Sequence, residues 1–294
     1  MPTLYGRAYK SAIYNRSSHC AQVLRKPFLH LLENSPMPIQ LRLLILWLFC
    51  CMHAPSAAAD FSATIASVKK SVVGIGSHKK TRSPAVVFSG TGFIVGDGRS
   101  VITNAHVVTA SMKGDPLETV GIVIGRGEQF EFRPARVVTI DAEHDLAHLV
   151  IEGAALPALQ LGDGELMAEG KELGFTGFPL GMVLGLHPVT HRALLSAITP
   201  IVMPALGSGK LGAGAIMQLQ RARFPVYQLD ATAYPGNSGS PVYDPQTGIV
   251  YGVINMVFVK GLKESAITSP SGITYAVPIM HAREIMQRKS SASK

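Results

Sequence analysis

Between Val72 and Val277 the chain is cut into short runs rich in Val and Ile, and turn residues separate them. The first set reads Val72–Ile75, Val86–Phe88, Gly92–Val95, Ser100–Thr103, Val120–Ile124, Arg136–Ile140 and Leu146–Ile151. The second reads Glu172–Phe175, Ala193–Ile198, Val226–Asp230, Ser240–Tyr243, Ile249–Val259 and Thr274–Val277. Breaks such as Gly96-Asp97-Gly98, Gly125-Arg126-Gly127 and Asp163-Gly164 punctuate them. Runs of this length bounded by Gly and Asp read as strands. Only the segments near Phe61–Lys70 and Ile279–Arg288 carry a helical pattern. Many short strands with few helices predict an all-β fold of Greek-key barrels rather than a parallel sheet. The glycines of Gly121–Gly127 open no helix, so they read as a hairpin turn and not a phosphate loop.

The front of the chain has a different character. The net charge is +8, with 27 Lys/Arg against 19 Asp/Glu. Residues 1–59 hold six of those bases (Arg7, Lys10, Arg16, Arg25, Lys26, Arg42) and one acid, Glu33, leaving 21 bases and 18 acids beyond them. The basic balance therefore gives no argument for a nucleic-acid partner. From Met37 a basic stretch leads into the apolar run Leu43–Met52 and then to small residues at Ala57 and Ala59. That is the pattern of a secretory signal peptide over residues 37–59, and the run is too short to span a bilayer as a helix. All three cysteines (Cys20, Cys50, Cys51) lie in this front piece. Cleavage after Ala59 leaves a cysteine-free chain from Asp60, with no disulfide to form outside the cytoplasm and no stable membrane anchor. Residues 1–36 read as an upstream extension ahead of a start at Met37. The alternative is an organellar transit peptide, because the segment is rich in Arg and Ser and nearly free of acids.

The chemistry-bearing stretch is Asp230 through Val242, where Ser238 stands between Gly236 and Gly239 and Pro241 follows. A serine nucleophile needs a base and backbone N–H groups aimed at an oxyanion. Such N–H groups are free where the chain turns tightly, and the two glycines permit that. Taken alone the stretch is an ordinary Gly/Ser/Pro turn. His106, after the apolar run Ser100–Thr103, is alone more often a hydrogen-bonded core histidine. Asp145, directly before Leu146, is alone more often a turn former. Taken together, in the order His, Asp, Ser, they make a triad: Ser238 the nucleophile, His106 the base and then the acid, Asp145 the orienter of the imidazole. Pro241 disfavours the helix that would have to follow a G-x-S-x-G nucleophile, and the chain order speaks against such an esterase too. Asp141 is the second candidate for the acid.

These residues carry a resemblance. Ser89-Gly90-Thr91-Gly92-Phe93-Ile94-Val95, Thr103–Val108, His144-Asp145-Leu146-Ala147, Gly174–Gly181, Asp230–Val242 and Gly272–Pro278 together resemble the HtrA (Deg) family of chymotrypsin-fold serine proteases. The resemblance covers nearly all of residues 60–289. It implies two six-stranded antiparallel Greek-key β-barrels, about 60–160 and 165–280, with short N- and C-terminal helices and a tail at 290–294. It implies serine endopeptidase activity on polypeptide substrates with no cofactor and no metal, export to a bacterial periplasm or the medium, and a role in protein quality control. A homo-oligomer is compatible with it. The implied oxyanion hole draws on Gly236, Asn237 and Ser238. The implied primary pocket has Thr232 at its base and Val253, Ile254, Asn255 and Met256 along the opposite wall. With no acid in that set, the expected cleavage follows small or medium aliphatic residues.

Three departures stand out. Family members commonly carry PDZ domains after the protease, and this chain stops at Lys294. Ser240 stands where the family motif ends in glycine, and Tyr234 where asparagine is common. The glycine-bearing segment Met203–Arg223 falls where the family keeps a loop that senses activators, and it is expected to be a mobile regulatory loop. The alternative function is a catalytically weak or silent binding module on the same fold. A metal site at His144 and His148 is disfavoured, because residues four apart in a strand lie about 13 Å apart.

Overall fold

The computed structural model describes residues 38–41, 60–112, 117–126, 129–183, 185–201, 224–255 and 272–288. Met256, the loop Met203–Arg223 and nearly all of the leader segment lie outside them. Residues 38–41 belong to a separate unit, Met1–Ala57, and everything below concerns the unit Ala58–Lys294.

Twelve strands form two closed barrels. The first takes β1 (Val72–His78), β2 (Val86–Val95), β3 (Ser100–Thr103), β4 (Thr119–Arg126), β5 (Gln129–Asp141) and β6 (Leu146–Ile151) in the order β1-β2-β3-β6-β5-β4. The second takes β7 (Glu172–Gly177), β8 (Val189–Ile201), β9 (Phe224–Asp230), β10 (Pro241–Tyr243), β11 (Val250–Asn255) and β12 (Ile273–Pro278) in the order β10-β11-β12-β9-β8-β7. Every ladder between named strands is antiparallel. Closure leaves no sheet edge exposed. Two expected runs, Val86–Phe88 and Gly92–Val95, prove to be one strand, β2. It carries a register shift opposite Ile75 and Gly76, so the ladder bends instead of ending there.

The period-2 alternation of these strands builds three cores. In the first barrel Val73, Ile94, Val101, Ile122 and Leu149 point inward. Their neighbours Val72, Phe93, Val95 and Ile102 face the other way. In the second barrel Leu173, Phe175, Leu229, Ile254 and Ala276 fill the interior, while Val253 and Val277 face outward. Those outward residues meet in a seam core with Phe178, Phe224, Tyr243 and the buried face of the C-terminal helix. Side chains of this size contribute about 1.5–3 kcal/mol each when fully buried, so the seam joins the barrels firmly. The connecting segment is stitched to both: Leu159 N–H donates to Ile94 C=O at 2.8 Å and Gly162 N–H to Val250 C=O at 2.8 Å.

Among the described residues, three α-helices complete the unit. α1 (Phe61–Val68) starts at Asp60, whose carboxylate accepts the Ser62 amide at 3.0 Å. α2 (Ala105–Ser111) was not expected, its Val107, Val108 and Thr109 being weak helix formers. His106 therefore sits in the first turn of a helix and not at a strand end. α3 (Ile279–Gln287) buries Ile279, Ala282 and Ile285 against the seam.

On α3, His281 stacks on His144 with ring centroids 3.7 Å apart and 15° between planes, and Phe224 packs edge-on against both. His144 Nδ1 lies 3.0 Å from Asp141 Oδ2, and Arg288 approaches the same carboxylate at 3.4 Å. Glu284 is 3.6 Å from His281, an ion-pair distance too long for a hydrogen bond. Burial, then the neighbouring His144, hold His281 below the usual histidine value. Burial also lowers His148 and His191. Burial raises Asp141, but its hydrogen bonds and charges from His144 and Arg288 bring it below the carboxylate value overall.

The linkage has one sign. The three histidines bind fewer protons folded than unfolded, so their stabilisation is complete above about pH 6.5 and is lost as pH falls below it. The contribution of Asp141 persists until pH drops below the carboxylate range. Melting temperature is expected to fall between pH 7.5 and 5, and His281→Phe is expected to flatten that fall. A thermal melt series over those pH values checks it, and parallel curves for both proteins would refute the assignment.

Candidate active site

Strand pairing brings the first two residues together. β3 pairs with β6 through Thr103 and Ala147, so the residues just past β3 meet those just before β6. His106 and Asp145, 39 residues apart, become neighbours there: His106 Nδ1 lies 2.5 Å from Asp145 Oδ2, and the His106 amide donates to Asp145 Oδ1 at 2.8 Å. The carboxylate thus serves both the imidazole and a free amide in the first turn of α2. Asn104, the N-cap of α2, makes no capping bond, because its Nδ2 donates to the Asp145 carbonyl at 3.0 Å. The Ala105 amide reaches that carbonyl at 3.1 Å. Asp145 itself has φ of +53°, one of three non-glycine residues in the left-handed region among those described. Asp tolerates that region better than most side chains, and such outliers cluster at functional sites.

The second oxygen of Asp145 has a further partner: Asn255 Nδ2 donates to Oδ2 at 2.9 Å. Asp145 is buried while the His106 side chain keeps 22% of its surface. One face of the imidazole pair is thereby closed to water and the other left open to a substrate. Asp141, the second candidate, is occupied by the His144 ring, the Glu143 and His144 amides and Arg288.

Ser238 lies where Tyr234–Ser240 turns into β10. Hydrogen bonding there is selective. Pro235 C=O accepts from Leu180 N–H (2.7 Å), and Gly236 C=O from the Thr91 hydroxyl (2.7 Å). Asn237 C=O accepts from Ser240 N–H (3.0 Å), and Ser238 C=O from Thr91 N–H (2.9 Å). Among the amides, Asn237 donates to Tyr234 and Gly239 to Ile254, both at 3.0 Å. The Gly236 and Ser238 N–H groups donate to no described residue. An oxyanion therefore has two donors within one turn, and the Asn237 amide, expected among them, is committed to Tyr234. Gly236 has φ of +102°, and a Cβ there would lie 2.2 Å from Phe178 O. Gly239 has φ of +87°, and its Cβ would lie 2.0 Å from Thr91 O. Both positions demand glycine. The Ser238 hydroxyl makes no hydrogen bond to a described residue, as is common in unliganded sites.

The trypsin-like peptidase domain family matches residues 90–253, more than half of the chain and the whole span from Gly90 past Ser238. The chain belongs to that family. Over 196 residues it is 27% identical to a DegP-like periplasmic serine endoprotease of Halomonas elongata, covering 67% of this chain and 34% of that protein. Over 213 residues it is 27% identical to the mitochondrial serine protease HTRA2 of Drosophila pseudoobscura pseudoobscura, covering 72% and 41%. The chain thus spans less than half the length of these curated relatives. Among solved structures, the active form of the protease Rv3671c from M. tuberculosis superposes with a TM-score of 0.57 at 23% identity, covering 82% of this chain and 89% of that one. The HtrA-type protease AlgW with a tripeptide gives 0.53 at 22%, covering 77% and 62%. These similarities establish the chymotrypsin-like, HtrA-type fold.

Within this trypsin-like fold, the residues expected to wall a pocket divide. Thr232 is half-buried on the segment ahead of the turn, and Thr274 braces that segment by bonding Ala231 C=O (2.7 Å) and Ala233 N–H (3.0 Å). The side chains of Val253 and Ile254 are fully buried in the seam and second-barrel cores. Asn255 turns its amide to Asp145. The resemblance implied a wall from this stretch of chain, whereas the pleat of β11 and the reach of Asp145 decide where these three side chains go. Ser240, despite replacing a glycine of the family motif, is absent from the positive-φ residues. A Cβ on Gly177 would lie 2.0 Å from Ser240 Oγ, so the hydroxyl occupies space that Gly177 leaves open.

Asn104, Thr91 and Leu180 were not named as partners of the site from sequence, although all three lie inside motifs that carry the resemblance, and Asn255 was named for the pocket wall instead. Removing the Asn255 amide leaves Asp145 Oδ2 with the imidazole as its sole side-chain partner among the described residues. Asn255→Ala is expected to lower kcat by about 10- to 100-fold through loss of orientation, with Ser238 still reactive toward a fluorophosphonate. Steady-state kinetics against wild type check it, and unchanged kcat would refute it.

Proposed function

We propose that the chain is a serine endopeptidase that cleaves polypeptides through an acyl-enzyme. The observation that carries this reading is the turn Pro235–Ser238, whose four carbonyls are all bonded while the Gly236 and Ser238 amides donate to no described residue. Ser238 Oγ attacks the scissile carbonyl and gives its proton to His106 Nε2 as the tetrahedral oxyanion forms opposite the two amides. Asp145 holds the imidazole by Nδ1 and stabilises the imidazolium. His106 then protonates the leaving amine, the C–N bond breaks, and the acyl group stays on Ser238. Water, deprotonated by His106, attacks the ester; the carboxylic acid product leaves and Ser238 regains its proton.

Ser238→Ala and His106→Ala are each expected to lose several orders of magnitude in kcat with the fold intact. Casein digestion and fluorophosphonate labelling of the purified protein test this. Casein degradation surviving in Ser238→Ala would sink the reading. Wild type that holds unfolded protein yet neither labels nor cleaves would make the chain a binding module instead.

Substrate choice follows from the pocket. Thr232 is uncharged, and Asp230, two residues earlier, is exposed at the end of β9 paired with Leu194 and Ile273. Peptides with Val, Ala, Ile or Leu before the scissile bond are expected to be cut at least about tenfold better than peptides with Arg, since a pocket base without an acid leaves a buried guanidinium unpaired. A profiling library checks it, and a preference for Arg would mean that some acid reaches the pocket. The periplasmic and mitochondrial relatives support an exported or organellar setting, and a quality-control role on unfolded polypeptides rests on the HtrA resemblance of the sequence alone.

A further inference from the structure

Among the described residues, the hydroxyl of Thr91 is the one side-chain group bonded to the backbone of the oxyanion turn. It lies on β2 of the first barrel, while the turn and the 178–180 segment belong to the second. Its Oγ1 donates to Gly236 C=O at 2.7 Å and accepts the Phe178 amide at 3.1 Å. Its N–H donates to Ser238 C=O at 2.9 Å, and its own carbonyl accepts the Thr103 hydroxyl at 2.7 Å. Thr91 is fully buried. Through one atom, therefore, the turn and the segment that supplies Leu180 N–H to Pro235 C=O are tied to each other.

We propose that Thr91 is the positioning residue of the oxyanion hole, holding the Gly236 and Ser238 amides in register by anchoring the carbonyls of those same two residues. The inference deepens the endopeptidase reading above and rests on it. The physical argument concerns peptide planes. The direction of each free N–H depends on the φ and ψ of Gly236 and Asn237, and Gly236, at φ +102°, has no side chain to oppose rotation. A peptide next to a glycine turns cheaply unless its carbonyl is held. Leu180 holds the plane that carries the Gly236 amide, and Thr91 holds the next plane and the one after Ser238. Water cannot substitute at a buried carbonyl without room for it, so the hydroxyl has no ready replacement. Both its bonds vanish together in a valine, which has the same shape.

The test compares Thr91→Val, Thr91→Ala and Thr91→Ser with wild type, by kcat and KM on one peptide substrate, by melting temperature, and by the final extent of fluorophosphonate labelling. Thr91→Val is expected to lose about 10- to 100-fold in kcat, short of the loss from deleting an oxyanion donor outright. Its KM should stay within about twofold, because the donors act on the transition state. Labelling should still reach completion, more slowly, showing Ser238 and His106 intact. Thr91→Ser keeps the hydroxyl and should recover kcat to within about threefold. Thr91→Ala, which leaves space instead of a methyl, carries the same prediction as valine and serves if the valine form does not fold. Full kcat in folded Thr91→Val or Thr91→Ala, or a serine form as slow as valine, overturns the assignment. Wild type that neither labels nor turns over substrate overturns the endopeptidase reading itself, which keeps the two failures distinct.

Discussion

Everything in the site depends on how the carbonyls from Pro235 to Ser238 are held. A tight turn exposes both ends of its peptide dipoles, and a turn with loose planes presents carbonyl oxygen as readily as N–H. Here each carbonyl has a donor: Leu180, Thr91, Ser240 and again Thr91. Two of the amides are consumed by Tyr234 and Ile254. What is left over is a pair of N–H groups facing where negative charge would develop. Preorganised donors of this kind work because they need no rearrangement at the moment of reaction.

The donors come from far away in the chain. Thr91 belongs to the first barrel and Leu180 to the second, so the turn is assembled only when the seam between barrels closes. Phe93 and Ile102 from one barrel, Val253 and Val277 from the other, and Ile279 and Ala282 from α3 fill that seam. Packing at interior density transmits small shifts instead of absorbing them. The same seam receives Asn255, at the end of β11, across to Asp145. Fold stability and site geometry therefore share one set of contacts, and His144, on which His281 of α3 stacks, lies in the loop next to Asp145.

Much of this was legible from the residues. Short Val/Ile runs broken by Gly and Asp gave strands close to those observed, because alternation and turn chemistry act over a few residues. The order His106, Asp145, Ser238 and the glycines at 236 and 239 were legible for the same reason: each requirement is local. Helix α2 was missed because Val107, Val108 and Thr109 carry a β preference that tertiary packing overrode. Asn237 was counted among the oxyanion donors because nothing local shows that Tyr234 takes its amide.

The sequence by itself determined the all-β class, the residue types of the proposed triad and the positions that must be glycine. Tertiary structure alone decided which side chains serve them: that Asn104 leaves its capping role to hold Asp145, that Asn255 faces the acid and not a pocket, and that Thr91 anchors the turn. The physical reason is reach. Strand periodicity and turn conformation are set by neighbours in sequence, whereas a hydrogen bond between residues 110 or 145 positions apart exists only after two barrels close on each other.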